Sequence, residues 1–334
     1  MQLTPGQLSD FLAKIVEKGL KDSLMIWGPP GVGKSSIVKA VANEDKRRFV
    51  DLRLSQLAPT DLRGLPGIVD NCSRWYPPSF LPVDGEGILF LDEINMAPPA
   101  MQGVAQQLIL DRCIGDYQVP DGWFIWAAGN RREDKAAVFQ MPSALANRFL
   151  HVTVQPDLDS FNRWGLQSGI AEEVLAFLAF RPVLLHKIHA TEFAWPSPRS
   201  WVMADSLFKA GLPIAPAVGG VAAEFESFLS VYDDLPDIDA IAAGNSKAKF
   251  PKEPSKRYAI VLALVVRADT AEKALNCLSW MASAASAEWL QLFVTMFFPV
   301  LRDKGFLRSV VAAAATDPEL QTVVENVRDL VLTS

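Results

Sequence analysis

The chain has 334 residues, of which 50% are hydrophobic and 21% are charged, a composition that excludes a mainly disordered protein and permits a large core. At the usual domain size of about 100–200 residues, this length predicts about two or three domains. The formal net charge of −6 argues against a general basic surface for nucleic acid, because neutralising phosphates requires clustered Lys and Arg.

Neither the cysteines nor the hydropathy pattern indicates a secreted or membrane protein. The three cysteines lie far apart without C-x-x-C spacing, which is typical of free thiols in a reducing compartment. The N-terminal stretch 1–19 lacks a basic segment followed by an apolar one, unlike a signal peptide. The apolar stretches 258–266 and 289–301 are shorter than the ~20 residues that span a bilayer. We therefore predict no membrane span and expect a cytoplasmic location.

The first part of the chain alternates predicted strands and helices. Apolar residues at helical spacing predict a helix over 5–19, with Thr4 as its N-cap and Gly19 as its end. A strand, a glycine loop and a second helix are expected between residues 23 and 44. Further strands are predicted near 48–54, 87–92, 123–129 and 151–155, with a helix at 98–110. Near-continuous apolar strands separated by helices favour an α/β fold, a parallel sheet with helices on both faces.

The second part of the chain has a different pattern of predicted secondary structure. After about residue 156 the strand signals fade and helical patterns predominate. The polar segment 244–256 has the composition of a linker.

A phosphate-binding motif follows the second predicted strand. GPPGVGKS at 28–35 matches G-x-x-x-x-G-K followed by Ser or Thr, between a predicted strand and a predicted helix. Glycines let backbone N–H groups turn inward around phosphate oxygens, and the helix directs its positive N-terminus at them. We expect Lys34 to reach the β and γ phosphates and the Ser35 hydroxyl to bind Mg²⁺. The predicted cradle is Gly28, Pro29, Pro30, Gly31, Val32, Gly33, Lys34, Ser35 and Ser36. A glycine-rich turn without a ligand is the alternative.

Two adjacent carboxylates end the apolar stretch ILFLDEIN at 88–95. A P-loop protein needs a carboxylate at the end of a second strand to hold Mg²⁺ through its water shell, and Asp92 fits that role. A magnesium site does not need a second acid, whereas an acid there can polarise a water for in-line attack on the γ phosphate. Glu93 is therefore the candidate catalytic base, and a surface acid at a strand end is the alternative.

These motifs resemble those of AAA+ ATPases, and specifically the MoxR-type branch. FLDEINMAPPAMQGVAQQLILD at 90–111 is similar to the family's Walker B strand, its DEIN-x-APP continuation and the next helix. WAAGN ends in Asn130, which corresponds to sensor 1 and would hold the attacking water or a γ-phosphate oxygen. MPSALANRF places Arg148 as the arginine finger for a neighbouring subunit's nucleotide. WPSPRSW makes Arg199 the sensor 2 candidate. For both arginines, a surface ion pair is the alternative.

The resemblance also covers two insertions. Residues 58–82 are similar to the helix-2 insert of MoxR-type proteins, and 111–122 to the hairpin before the sensor 1 strand. In such rings these loops can contact a substrate or partner. Trp75, Tyr76 and Tyr117 are the candidate contacts, with ordinary packing as the alternative.

The resemblance implies three domains. They are an AAA+ α/β nucleotide-binding domain at 1–155, a helical lid at 156–245 and an additional C-terminal helical region at 246–334. ATP and Mg²⁺ are the implied cofactors, and a finger acting in trans implies a homo-oligomeric ring, usually a hexamer.

The implied function is ATP hydrolysis coupled to chaperone-like remodelling or activation of a client protein, including insertion of a metal or cofactor. A partner with a von Willebrand factor A domain is implied as well. Two alternatives stay open: a nucleic-acid-directed motor or loader, which the acidic charge argues against, and a nucleotide-gated scaffold with little turnover. The absence of an N-K-x-D motif argues against a GTPase.

One pair of histidines has spacing that could suggest a metal site. His186 and His189 lie three residues apart, which would put both on one face of a helix. No Cys or Asp flanks them closely and a third ligand would have to come from elsewhere, so packing is the favoured interpretation.

Overall fold

The computed structural model describes residues 1–134, 138–189, 192–230, 232–246, 248–318, 320–321 and 323. The chain forms two compact units, Met1–Asp157 and Leu158–Ser334. Among the described residues, no helix is long and apolar enough to cross a membrane.

A six-stranded parallel sheet forms the centre of the first unit. The strands of this unit are β1 (Gln2–Leu3), β2 (Leu24–Trp27), β3 (Arg48–Arg53), β4 (Leu65–Val69), β5 (Cys72–Tyr76), β6 (Gly87–Asp92), β7 (Cys113–Ile114), β8 (Tyr117–Gln118), β9 (Trp123–Gly129) and β10 (Leu150–Val154). The order of the large sheet is β1-β10-β2-β9-β6-β3, and every pairing in it is parallel. The predicted α/β fold class is confirmed.

The helices of the first unit are α1 (Pro5–Lys18), α2 (Lys34–Glu44), α3 (Pro59–Arg63), α4 (Pro99–Asp111) and α5 (Ser143–Ala146). Helix α1 begins where its sequence predicts. The Thr4 hydroxyl accepts from the Gln7 N–H at 3.2 Å, and the Gln7 side chain accepts from the Thr4 N–H at 3.0 Å, which forms a capping box. Gly19 ends the helix in the left-handed conformation, at φ 63°.

Helices cover both faces of the sheet, and every residue of β6 and β9 is therefore buried. Alternate side chains of a strand point to opposite faces. On one face Ile26 and Phe90 share a hydrophobic cluster with Leu12 of α1 and Val38 of α2. On the other face Leu89 and Ile125 pack with α4 through Met101 and Leu108. Strands that are buried on both sides explain why these segments are apolar throughout.

The two insertions of the first unit are joined by a contact. The first contains α3 and the antiparallel hairpin β4–β5, and the second is the hairpin β7–β8. The Trp75 N–H donates to the Asp116 carboxylate at 2.9 Å. The β4–β5 hairpin was not predicted; Asp70 and Asn71 form its two-residue turn, at φ 51° and 57°.

The predicted contact residues in these insertions differ in exposure. Tyr76 is 55% exposed and Trp75 is half-buried. Tyr117 is buried, and its hydroxyl donates to the Pro82 carbonyl at 2.6 Å. Burial raises the pKa of Tyr117 to about 12. For Tyr117 the prediction of a partner contact is therefore wrong, because the side chain anchors the hairpin instead.

The second unit is helical throughout its described part. Its helices are α6 (Leu158–Ser168), α7 (Glu172–Phe180), α8 (Pro198–Lys209), α9 (Ala215–Val218), α10 (Val221–Leu229), α11 (Ile238–Ala242), α12 (Pro254–Arg267), α13 (Ala271–Ala284), α14 (Ala287–Asp303) and α15 (Leu307–Ala314). One hydrophobic cluster extends from Phe161 to Leu320 and includes buried stretches of α7 and α12. The domain boundary near residue 245 stays a prediction.

The helix expected around the two histidines is not present. A short 3-10 turn, Pro182–Leu184, is followed by non-helical chain up to residue 189. The His186 ring packs edge-on against Trp195 at 5.5 Å, and the Lys187 N–H donates to the Pro196 carbonyl. These contacts hold the segment as a loop. The described residues contain no group of three or more His, Cys, Asp or Glu that could hold a metal ion.

Candidate active site

The glycine loop lies between β2, which ends at Trp27, and α2, which begins at Lys34. Gly31 and Gly33 adopt left-handed φ angles of 79° and 99°, which side chains disfavour. At Gly28 a Cβ atom would lie 2.6 Å from the Val154 carbonyl oxygen of the neighbouring strand. The glycines therefore permit a tight turn whose next N–H groups belong to the first turn of α2, an arrangement suited to an anion.

The Lys34 ammonium lies inside this loop, and Lys34 as a whole residue is 9% exposed. Its Nζ donates to the carbonyls of Gly28 at 2.7 Å and Pro29 at 3.1 Å. It also donates to the Asn130 Oδ1 at 2.9 Å. Asn130 directly follows β9, and β9 pairs with β2, so the two strand ends bring the predicted sensor and the predicted phosphate-binding lysine together.

Ser35 and Asp92 meet although 57 residues separate them. The Ser35 hydroxyl donates to the Asp92 Oδ2 at 2.6 Å. Asp92 is the last residue of β6 and is 9% exposed. A hydroxyl and a carboxylate are the hard oxygen donors that Mg²⁺ prefers, so this pair fits the predicted ion. Because Mg²⁺ takes six oxygen ligands, phosphate oxygens and waters would have to complete the coordination.

Glu93 has an unusual backbone conformation with φ 56°. Non-glycine residues in this region are uncommon and cluster at functional sites. The Glu93 N–H donates to the Asp92 Oδ1 at 2.9 Å, and its Oε2 accepts from the Ser55 hydroxyl at 2.8 Å. Ser55 lies in a 3-10 turn directly after β3. The turn and the serine together fix where the predicted base points.

The register of the sheet explains why these groups converge. Trp27 lies beside Gly129, and Asp92 lies beside Arg53. Parallel strands place their carboxyl ends at one edge of a sheet, and ligands of open α/β sheets bind outside that edge. Chain segments that follow four neighbouring strands, β2, β9, β6 and β3, thus contribute to one site.

Asp51 adds a third carboxylate near this edge. Asp51 is exposed, but partial desolvation of its carboxyl first, and then the charges of Asp92 and Glu93, raise the pKa of Asp51 above its ordinary value, while Arg53 lowers it. The ionised form of Asp51 therefore costs the folded state free energy at any pH above this raised pKa. The cost disappears as the pH falls through it.

We therefore expect Asp51→Asn to raise the unfolding temperature at neutral pH and to leave it nearly unchanged in acid solution. Thermal unfolding at both pH values measures this difference. Asp10→Asn, at an exposed position of α1, is the matched control and should produce no such pH-dependent gain. A variant that gained nothing at neutral pH would contradict the unfavourable role of the Asp51 charge.

The two predicted arginines lie in different units. Arg148 follows α5 in the first unit and is exposed. Arg199 lies in the first turn of α8 in the second unit and is also exposed. Neither guanidinium forms a hydrogen bond or ion pair with the described residues. The alternative of a surface ion pair therefore has no support from the described contacts of either residue.

Residues 24–156 match the family model described as "ATPase family associated with various cellular activities (AAA)". We call this segment, which has the AAA fold, the AAA domain. The AAA domain begins at the first residue of β2 and includes the glycine loop, Asp92, Glu93, Asn130 and Arg148. The MoxR-type branch has no support beyond the resemblance of the motifs.

A curated relative is similar to a short segment of this chain. An uncharacterized AAA domain-containing protein of Schizosaccharomyces pombe is 50% identical over 34 residues. The matched segment is 10% of this chain and 4% of that relative.

Solved structures show a more distant similarity. NtrX from Brucella abortus in complex with ADP has a TM-score of 0.41 at 17% identity, over 98% of this chain and 68% of that chain. A RuvB mutant of Thermotoga maritima has a TM-score of 0.39 at 17% identity, over 90% of this chain and 86% of that chain. Similarity at this level carries no inference about activity.

Sequence reasoning missed Ser55 and the roles of Asp51 and Asn95 in the AAA domain. Ser55 could have been found as a hydroxyl shortly after the strand preceding Walker B. Asn95 lies within the quoted motif, but its partner is 35 residues away and depends on strand order. Asp51 carries no local signal, because its environment arises from the neighbouring strand.

Proposed function

We propose that this chain hydrolyses ATP to ADP and phosphate as a member of an AAA+ ring. The observation that carries the proposal is the convergence of Lys34, Ser35, Asp92, Glu93 and Asn130 at one edge of the sheet. Each of these groups is held by a hydrogen bond within the AAA domain. The match of residues 24–156 to the AAA family supports ATP as the nucleotide.

Each of these residues is assigned a separate role in the reaction. Lys34 and the N–H groups of the glycine loop would bind the β and γ phosphates. Ser35 and Asp92 would hold Mg²⁺, which neutralises charge on the phosphate oxygens when bound. Glu93 would take a proton from water as the water oxygen bonds to the γ phosphorus and the bond to the bridging oxygen breaks. Asn130 would keep that water or a γ-phosphate oxygen in line.

The exposed arginine supports a site that is shared between copies of the chain. Charge develops on the transferring phosphoryl group, and a cation from a neighbouring subunit can stabilise it. Arg148 is exposed and forms no described ion pair, so its guanidinium is accessible to a second copy. We assign it as the trans finger of a hexameric ring. Arg199 is proposed as sensor 2 from its motif.

The cellular role is proposed from the resemblance of 90–111 to MoxR-type proteins. It is the remodelling or activation of a client protein, including metal or cofactor insertion, with a von Willebrand factor A domain protein as partner. Salt-sensitive stimulation of ATP turnover by DNA would instead favour the nucleic-acid motor or loader.

ATP turnover per subunit, measured over a wide range of protein concentration, tests the shared site. We expect a rate that rises steeply and then saturates, because dilution removes the neighbouring arginine. Arg148→Ala should lower the saturated rate by about 10³-fold, the lower end of the effect of an arginine finger. Arg74→Ala, at an exposed arginine of β5 in the same domain, is the matched control and should leave the rate unchanged.

A mixing experiment makes this test sharper. Mixing the Arg148→Ala protein with the Glu93→Gln protein should restore turnover. Some interfaces of the mixed ring then combine an intact Glu93 from one subunit with an intact Arg148 from its neighbour. Turnover independent of concentration, with no recovery on mixing, would contradict the trans role. A near-zero rate at all concentrations of the unmodified chain would favour the nucleotide-gated scaffold.

A further inference from the structure

The Asn95 side chain binds the main chain of Asn130. Its Nδ2 donates to the Asn130 carbonyl at 2.7 Å, and its Oδ1 accepts from the Asn130 N–H at 3.3 Å. Asn95 is 3% exposed and Asn130 is 9% exposed. A side-chain amide thus satisfies both main-chain polar groups of a buried residue just beyond the end of β9, where no further strand pairing holds it.

Local geometry makes this contact possible. The Ile94 N–H donates to the Ala128 carbonyl at 3.0 Å, which fixes the turn after Glu93 against β9. A Cβ atom on Gly129 would lie 2.5 Å from the Asn95 Oδ1 and 2.7 Å from the Met25 Cε. Only glycine at this position lets the Asn95 amide approach so closely.

Asn95 has a second link through its own main chain. The Phe139 N–H donates to the Asn95 carbonyl at 2.7 Å. Residue 139 belongs to the segment that leads into α5 and then to Arg148. Asn95 therefore connects the turn after Walker B with two other parts of the AAA domain.

The consequence falls on the Asn130 side chain. With its N–H and carbonyl held, Asn130 retains only side-chain rotation, and its Oδ1 accepts from Lys34 at 2.9 Å. Its Nδ2 faces the Met96 sulfur at 3.8 Å, a weak acceptor. The direction of the amide thus depends on the fixed main chain. A misdirected amide would lose the attacking water, since small displacements of positioning groups are costly.

We propose that Asn95 is a positioning residue for ATP hydrolysis that acts through Asn130. This inference rests on the proposed function, because it assigns a role within the same site. Asn95 itself touches neither the nucleotide cradle nor the magnesium pair in the described contacts. Its effect should therefore appear in kcat rather than in KM.

A double-mutant cycle of Asn95→Ala and Asn130→Ala in the full chain tests the proposal. Asn95→Ala should lower kcat by about 10-fold and change KM by less than about 3-fold, the signature of a lost transition-state interaction. Asn130→Ala should lower kcat by about 100-fold, and the double variant should match Asn130→Ala to within about 2-fold, because coupled residues are not additive.

The cycle separates positioning from structural support. Asn130→Ala keeps the main-chain groups that Asn95 binds, so a structural cost of losing Asn95 would persist in the double variant. A further drop of about 10-fold in kcat there would overturn the proposal, since independent effects multiply. Asn162→Ala, at a 3% exposed asparagine of α6, controls for the loss of a buried amide and should leave kcat unchanged.

A second variant covers the case in which Asn95→Ala does not fold. Asn95→Ser keeps an uncharged polar side chain that is too short to form both hydrogen bonds to the Asn130 main chain. It should show the same loss in kcat with little change in KM. If the unmodified chain hydrolyses ATP but both Asn95 variants keep its kcat, only the positioning role fails. If the unmodified chain does not hydrolyse ATP at saturating protein concentration, the proposed function fails and this role with it.

Discussion

Lys34→Ala is expected to lower the affinity for ATP by at least about 100-fold, which corresponds to about 2.7 kcal/mol of binding free energy. Lys34 is 9% exposed, and its ammonium donates to the Gly28 and Pro29 carbonyls, within the loop whose N–H groups would receive phosphate. Contacts between a cation and phosphate are strong where water is excluded. Alanine removes the only group in this cradle that carries a full positive charge.

Titration calorimetry with ATP and Mg²⁺ measures this loss. Lys39→Ala is the matched control, because Lys39 is exposed and lies on the same helix one turn further along. The control should bind ATP as the unmodified chain does. Similar affinities for all three proteins would contradict phosphate binding by Lys34, and would leave the glycine loop as a turn without a ligand.

The sequence predicts the local structure of the site where the residues are contiguous. The glycine loop, Lys34 and Ser35 lie within eight residues, and their proposed function follows from the turn and the helix N-terminus that they form. The strands around Asp92 and Asn130 were predictable for a related reason. Their apolar runs are long enough to indicate burial on both faces.

The parts that escape sequence reasoning depend on strand order. Ser55 holds Glu93 across 38 residues, and Asn95 holds Asn130 across 35. Each contact joins the ends of two parallel strands that are adjacent in the folded sheet but not in the sequence. No periodicity within a segment encodes such a neighbour.

The inserted hairpins show a second reason why sequence patterns fail to predict contacts. Tyr117 has the size and polarity of a contact residue, yet its hydroxyl reaches the Pro82 carbonyl in another loop. An aromatic residue with a polar tip suits both an interface and a buried anchor, so residue type alone does not separate them. The β4–β5 hairpin was missed because short strands that are mostly exposed lack clear alternation.

Glu93→Gln is the second substitution for which we expect a large effect, and its effect should fall on the chemical step. Loss of a general base typically lowers kcat by about 10²–10⁴-fold. Glutamine has the same shape, and its amide oxygen can still accept the Ser55 hydroxyl, so the turn at φ 56° should be retained. The amide cannot take a proton from water. ATP affinity should therefore stay within about 3-fold of the unmodified chain, because the phosphate contacts are unchanged.

Two measurements distinguish this variant from Lys34→Ala. Single-turnover hydrolysis should show bound ATP that persists, and sedimentation with ATP should show an assembled species that Lys34→Ala does not form. Glu44→Gln, at an exposed acid on α2, is the matched control and should turn over normally. Equal losses of ATP affinity in the Lys34 and Glu93 variants would refute the separation of binding from catalysis. In that case Glu93 would act in the phosphate cradle itself, and another group would have to serve as the base.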